Sequence, residues 1–230
     1  MLFYLAGMSY FSRARWRLAQ FLEYRWWRRY LRGRAPQDYL RDKRAYWQRV
    51  LTELEWPVQT GARALDAGCG PAGVFILLHD RQRVTAMDPL LQRYESLPIF
   101  SRQHYPAVRF LPYALEYRAE LDPFDVIYCF NAINHVRDWE YCLDRLTALA
   151  RPGTRMVISS DVHRHSWLLP VFRALPGDAL HPQQHRAAEY ITALRARRWI
   201  VEREVLLRRA AIFDYRAWVC VLGEASPSEV

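Results

Sequence analysis

The residues of this chain best suited to chemistry lie between Asp66 and His163. Asp66-Ala67-Gly68-Cys69-Gly70 places an acid two residues ahead of paired glycines, at the end of a small apolar run and just before a helical pattern. Glycines there let the backbone take positive φ and approach a ligand closely, and the helix that follows offers unpaired N–H groups. The next apolar run, Val84 to Met87, ends in Asp88-Pro89. An acid at that place suits a ribose diol in doubly wound sheets. His135 and His163 each sit after an apolar run, and imidazole, titrating near neutrality, is a natural proton acceptor. The alternative roles for either are a helix cap, a packed ring or a solvated loop residue. His165, His181 and His185 with Asp161 match no metal-ligand spacing, so no metal site is expected.

Positioning such groups calls for short strands alternating with helices. The pattern predicts strands near 62–67, 83–88, 107–111, 124–130 and 154–160, then a closing pair near 199–207 and 210–221. Helices are expected near 72–79, 90–95, 138–150 and 184–197, giving an α/β class with a doubly wound, mostly parallel seven-stranded sheet. In such sheets ligands sit beyond the C-terminal ends of the strands, which selects Asn131, Asn134, His135, Asp161, His163 and His165 for inspection. Residues 161–182 form a long connection with Trp167 and Phe172, a candidate lid or substrate wall. Two helices are expected before the sheet, at 9–32 and 37–54, dividing the chain into a helical segment 1–57, a domain 58–222 and a tail 223–230.

A dinucleotide turn must hold a pyrophosphate against the helix start, and Asp66 would set an anion beside an anion there. The Asp-x-Gly-x-Gly form instead resembles motif I of the class I S-adenosylmethionine-dependent methyltransferases, with a Rossmann-like fold. The resemblance runs from Arg63 to Ser160. Phe124 to Asn131 looks like that family's fourth strand, Ala132-Ile133-Asn134-His135-Val136 is similar to the loop under the methyl donor, and Arg151-Pro152-Gly153 resembles the turn before the fifth strand. It implies S-adenosylmethionine as cofactor, with Asp66 near its methionyl part, Gly68, Cys69 and Gly70 against its backbone, and Asp88 and Pro89 at the ribose. Asn131 would lie at the end of the site. Many relatives carry an Asp for adenine after the third strand, where this chain reads Tyr113-Ala114-Leu115-Glu116. Backbone groups of Ala114 and Leu115, or Glu116, are the substitutes.

Cys-Phe-Asn at the fourth strand's end lacks the Asn/Asp-Pro-Pro-aromatic signature of base and protein amino methylation, and the Pro-Cys of cytosine-C5 enzymes. A small-molecule or lipid-like acceptor, methylated on O, N or C, is the expectation. A nucleotide-dependent oxidoreductase and a non-catalytic interaction protein of the same fold are the alternatives.

At 230 residues, 51% hydrophobic, the chain supports one full core plus an appendage. Cys69, Cys129, Cys142 and Cys220 form no C-x-x-C pair, which fits a reducing, cytoplasmic setting. Of the net charge of +9, residues 1–34 contribute +7, from eight arginines against the single acid Glu23. Arginines interleaved with Trp16, Phe21, Tyr24, Trp26, Trp27 and Tyr30 suit an anionic membrane surface through residues 9–34. A packed lid or dimer contact is the bland alternative, and nucleic acid a weaker one.

Overall fold

The computed structural model describes residues 10–118, 120–164 and 185–224, with side chains from residue 17 onward. Seven strands form one sheet: β1 (Arg63–Ala67), β2 (Arg83–Met87), β3 (Arg109–Leu111), β4 (Phe124–Phe130), β5 (Ala150–His163), β6 (Trp199–Arg209) and β7 (Phe213–Leu222). Their order is β3-β2-β1-β4-β5-β7-β6. β1 to β5 pair in parallel, while β7 lies antiparallel between β5 and β6. The doubly wound expectation is met. In chain order the described helices are α1 (Tyr10–Tyr30), α2 (Pro36–Glu53), α3 (Phe75–Leu78), α4 (Leu91–Tyr94), α5 (Trp139–Ala148) and α6 (Ala187–Arg195).

Because side chains alternate along a strand, a sheet covered on both faces needs apolar residues at nearly every position. β4 shows this: Val126, Tyr128 and Phe130 enter one core with α2 and α3, while Phe124, Ile127 and Cys129 enter the other with α5 and α6. The first core runs continuously across residue 57, since Trp47, Val50, Leu51 and Leu54 of α2 are buried in it with Ala64 of β1. Trp56 ties the same region down by donating from Nε1 to the Tyr128 hydroxyl at 3.1 Å.

Three boundaries differ clearly from expectation. β5 starts before the Pro-Gly turn, because Ala150 already pairs with Phe124, and a register shift absorbs residues 151–154 before Arg155 pairs with Val126. Thr154 Oγ1 stitches the irregularity, donating to the Phe124 carbonyl and accepting from the Arg151 N–H at 2.9 Å. At its other end β5 runs on to His163, held by β7 through nine register pairs. The helix expected at 72–79 is short, a 3-10 turn at Gly70–Ala72 followed by α3. Most of the wall expected at 161–182, with His165 and His181, lies outside the described residues.

Candidate active site

The turn after β1 is built by close approach. Gly68 has φ +70°, and a Cβ on it would lie 2.3 Å from the Ala132 Cβ, so the turn and the loop after β4 meet only because a side chain is missing. Gly73 has ordinary φ (−68°), yet a Cβ there would sit 2.4 Å from the Cys69 carbonyl and 2.5 Å from Asp66 Oδ2. Asp66 is buried beneath the turn and accepts from the Phe75 N–H at 2.9 Å, anchoring α3. Asp88 accepts from the Gly70 N–H at 3.0 Å and the Leu90 N–H at 2.8 Å.

These bonds bear on the ligand. Glycines 68, 70 and 73 have the spacing of a dinucleotide turn, but the Gly70 and Phe75 N–H groups already serve carboxylates. A pyrophosphate in the cleft would meet Asp88 and Glu23 of α1, with Asp66 buried just behind the turn. Glu23 lines the same cleft as Asp88, accepts from the Tyr94 hydroxyl at 3.1 Å and is bonded by Trp27. Burial pushes all three carboxylates up: Asp66 to about 7 and Asp88 to about 7, with Glu23 adding like charge to Asp88. Such a site favours a ligand that brings positive charge.

The cleft, of about 950 Å³, runs from this turn to a second, aromatic half. Gly68, Cys69, Gly70, Asp88 and Pro89 line the first half together with Ala114, Leu115 and Glu116. Glu116 Oε1 accepts from the Arg137 N–H at 2.8 Å, which fixes it beside the loop after β4. Asn131, in left-handed conformation at φ 49°, and His135 belong to the wall. Asp66 stays behind it as a brace. His163 is not among the described wall residues; it is buried, its ring 4.7 Å from Phe213. Cys69 faces the cleft with a thiol raised well above its usual pKa by burial and the nearby acids, which keeps it protonated.

Tyr39, Tyr46, Trp47, Phe130 and Tyr215 supply the aromatic half. Trp47 is locked by donating from Nε1 to the Ala72 carbonyl at 3.0 Å, with its ring 4.9 Å from Phe130. Tyr215 shares a 2.7 Å hydrogen bond with Ser159 Oγ. Lys43 of α2 lies over the rings of Tyr46 (4.3 Å) and Trp47 (4.6 Å), and burial lowers its amine to about 8, against the opposing pull of Asp66. Among the described residues no group of three His, Cys, Asp or Glu side chains forms a metal site.

Glu23, Lys43, Tyr46, Trp47 and Tyr215 escape the sequence reading. Their faces depend on how α1, α2 and β7 dock, which periodicity does not encode. One signal was available: Glu23 is the single acid among eight arginines in residues 1–34.

The comparisons agree with this geometry. Residues 39–204 match the family model described as a methyltransferase domain. A curated ubiquinone biosynthesis O-methyltransferase of a Bradyrhizobium species is 28% identical over 106 residues, which is 44% of this chain and 40% of that protein. The chain thus aligns with well under half the length of that relative. Among solved structures, 1,6-didemethyltoxoflavin-N1-methyltransferase of Burkholderia thailandensis, with its substrate and S-adenosylhomocysteine bound, superposes at TM-score 0.63 and 21% identity. That match covers 94% of this chain and 92% of the other, too much to omit α1 and α2 from the shared fold. The N-methyltransferase NodS of Bradyrhizobium japonicum, in complex with S-adenosylhomocysteine, gives 0.58 at 15% identity over 80% of this chain and 87% of that one. With the family model spanning more than half of its length and the strand order of the sheet in place, this chain belongs to the class I methyltransferase family.

Proposed function

We propose that the chain transfers a methyl group from S-adenosylmethionine to a small planar acceptor, with both held in the one cleft. The observation that carries this is the lining of the one cleft: the glycine turn with Asp88 and Glu23, and the rings of Tyr39, Tyr46, Trp47, Phe130 and Tyr215. The residues present fit the cofactor. A Cβ on Gly70 would meet nothing within 4 Å, so the backbone of the turn lies bare to the cleft there, and Asp88 with Glu23 matches a ligand carrying an ammonium and a sulfonium and no phosphate. The cofactor supplies an electrophilic methyl group on sulfur.

The chain's own residues do the rest. Asp88, with one N–H on each oxygen, keeps lone pairs for the ribose hydroxyls. Gly68, Cys69, Gly70 and Asn131 border the methionyl part, Pro89, Ala114, Leu115 and Glu116 the base, and Asp66 holds the turn in shape. Tyr46, Trp47, Phe130 and Tyr215 sandwich a flat acceptor and exclude water, so the reacting atoms meet by positioning. His135, in the cleft wall, takes the proton of an acceptor hydroxyl or amine, and Lys43 draws an electron-rich acceptor inward. The likeness to a ubiquinone biosynthesis O-methyltransferase and to a 1,6-didemethyltoxoflavin-N1-methyltransferase supports a planar small molecule.

The test pairs calorimetry with S-adenosylmethionine and NAD against a mass-spectrometric screen of catechol, quinol and heteroaromatic acceptors. Binding of S-adenosylmethionine with one added methyl on an acceptor is the expected result. His135→Ala should then lower kcat by roughly 10²–10⁴ without changing cofactor affinity. NAD binding alone would return the oxidoreductase alternative, and cofactor binding without turnover the interaction protein.

A further inference from the structure

α1 has two faces, and the cleft uses only one. At about 100° per residue, Gln20, Glu23, Tyr24, Trp27 and Leu31 share the inner side. Tyr24 bonds Ser96 at 2.6 Å, Trp27 packs on Tyr94, and Leu31 is buried. The opposite side carries Leu18, Phe21, Leu22, Arg25 and Arg29. Leu18 is 50% exposed and Phe21 45%, while Trp26, also exposed, borders the cleft. Arg17, Arg25, Arg28, Arg29 and Arg32 are all exposed, and none is in an ion pair among the described residues. The helix's single acid is turned inward, so its outer surface is wholly cationic.

We propose that this outer face docks on an anionic lipid bilayer. The two kinds of residue alternate along this side: Arg17, Leu18, Phe21, Arg25 and Arg29 follow one another over about 18 Å, at 1.5 Å per residue. A helix lying in the interface places Leu18 and Phe21 among acyl chains and the guanidinium groups, on their long stems, among phosphates. Charge complementarity selects the anionic surface. Nucleic acid would explain the arginines but leave Leu18 and Phe21 exposed for nothing. Its base-stacking platform is also partly used, because Trp26 and Tyr30 already stack on each other at 4.7 Å and 9°. No described helix is long and apolar enough to span a membrane, so the contact is peripheral. The proposal goes beyond the reading of the cleft and holds for any acceptor.

The test is sedimentation of the full chain with phosphatidylcholine vesicles, with and without phosphatidylglycerol, at low and high salt. Binding is expected only with the anionic lipid and should be released by salt. Leu18→Ser with Phe21→Ser should weaken it at least about tenfold, and Arg25→Glu with Arg29→Glu should weaken it by at least a further factor of about ten. All four positions are on the surface, so melting temperature and S-adenosylhomocysteine affinity should stay at wild-type values in both variants. That separates failure here from failure of the cleft reading. Wild-type protein that ignores anionic vesicles overturns the proposal, as does vesicle binding that neither variant alters. Polyuridylate that displaces vesicles and binds the serine variant at wild-type affinity would also overturn it and assign the surface to nucleic acid.

Discussion

Affinity for the cofactor product should depend on pH through the carboxylates of the turn, because the unliganded protein holds them partly protonated. Asp88 is raised to about 7, first by burial and next by Glu23 of α1, against the two N–H groups that favour its charge. To receive ribose hydroxyls on both oxygens it must be ionised, since a protonated carboxyl offers a donor where an acceptor is needed. With a pKa of about 7, roughly a tenth is ionised at pH 6 and nine tenths at pH 8. The observed affinity should therefore rise about tenfold over that span, about 1.4 kcal/mol, with release of about half a proton at pH 7. If Asp66, also near 7, ionises in the same step, the rise approaches a hundredfold and the release one proton. The groups facing this pair are Lys43, Tyr94 and Cys69. Calorimetry with S-adenosylhomocysteine in two buffers of different ionisation enthalpy measures both quantities. Asp88→Asn, which should flatten the slope, controls for titration of the ligand, and Glu23→Gln should move the midpoint to lower pH. A wild-type affinity that varies less than twofold between pH 6 and 8, with no proton exchanged, refutes the reasoning. The same raised carboxylates stabilise the unliganded fold below about pH 4 and lose that contribution as pH rises towards 7. The unliganded melting temperature should thus be higher at pH 5 than at pH 8, and bound ligand should narrow the gap.

Gly68→Ala forces a side chain into φ +70° and against Ala132; thermal melts should show about 1–2 kcal/mol lost to the backbone alone, with a larger proportional loss of cofactor affinity. Leu54→Ala empties a fully buried site between α2 and the sheet. It should cost about 2–5 kcal/mol in urea unfolding while calorimetry finds cofactor affinity within about twofold of wild type.

Much of the sheet was legible because a strand covered on both faces reads as a mostly apolar run, as β1, β2 and β4 do apart from Asp66, Thr85, Asp125 and the arginines that open β1 and β2. The start of β5 was not, because pairing there depends on the Thr154 hydroxyl reaching the Phe124 carbonyl across sequence. That Gly68, Gly70 and Asp88 come together on one cleft was legible for a local reason: each is constrained by its own turn or strand end. The aromatic part of the lining was hidden because it is assembled from distant elements. Trp47 and Lys43 sit on α2, where helical periodicity marks an apolar side but not which ring closes a cavity. Tyr215 sits on β7, where alternation alone does not separate a core residue from a wall residue.

The position of β7 has a consequence for how the chain matures during synthesis. It is the last of the seven described strands in sequence, yet it lies between β5 and β6. Until residues 213–222 emerge, the outer edge of β5 lacks its nine partners and β6 has no neighbour in the sheet. The stretch from Asp66 through Asn131 is translated well before that, whereas Tyr215 arrives with the closing strand. A nascent chain halted before residue 213 would therefore carry its glycine turn but present a long open strand edge, the kind of surface that recruits chaperones or pairs with other chains.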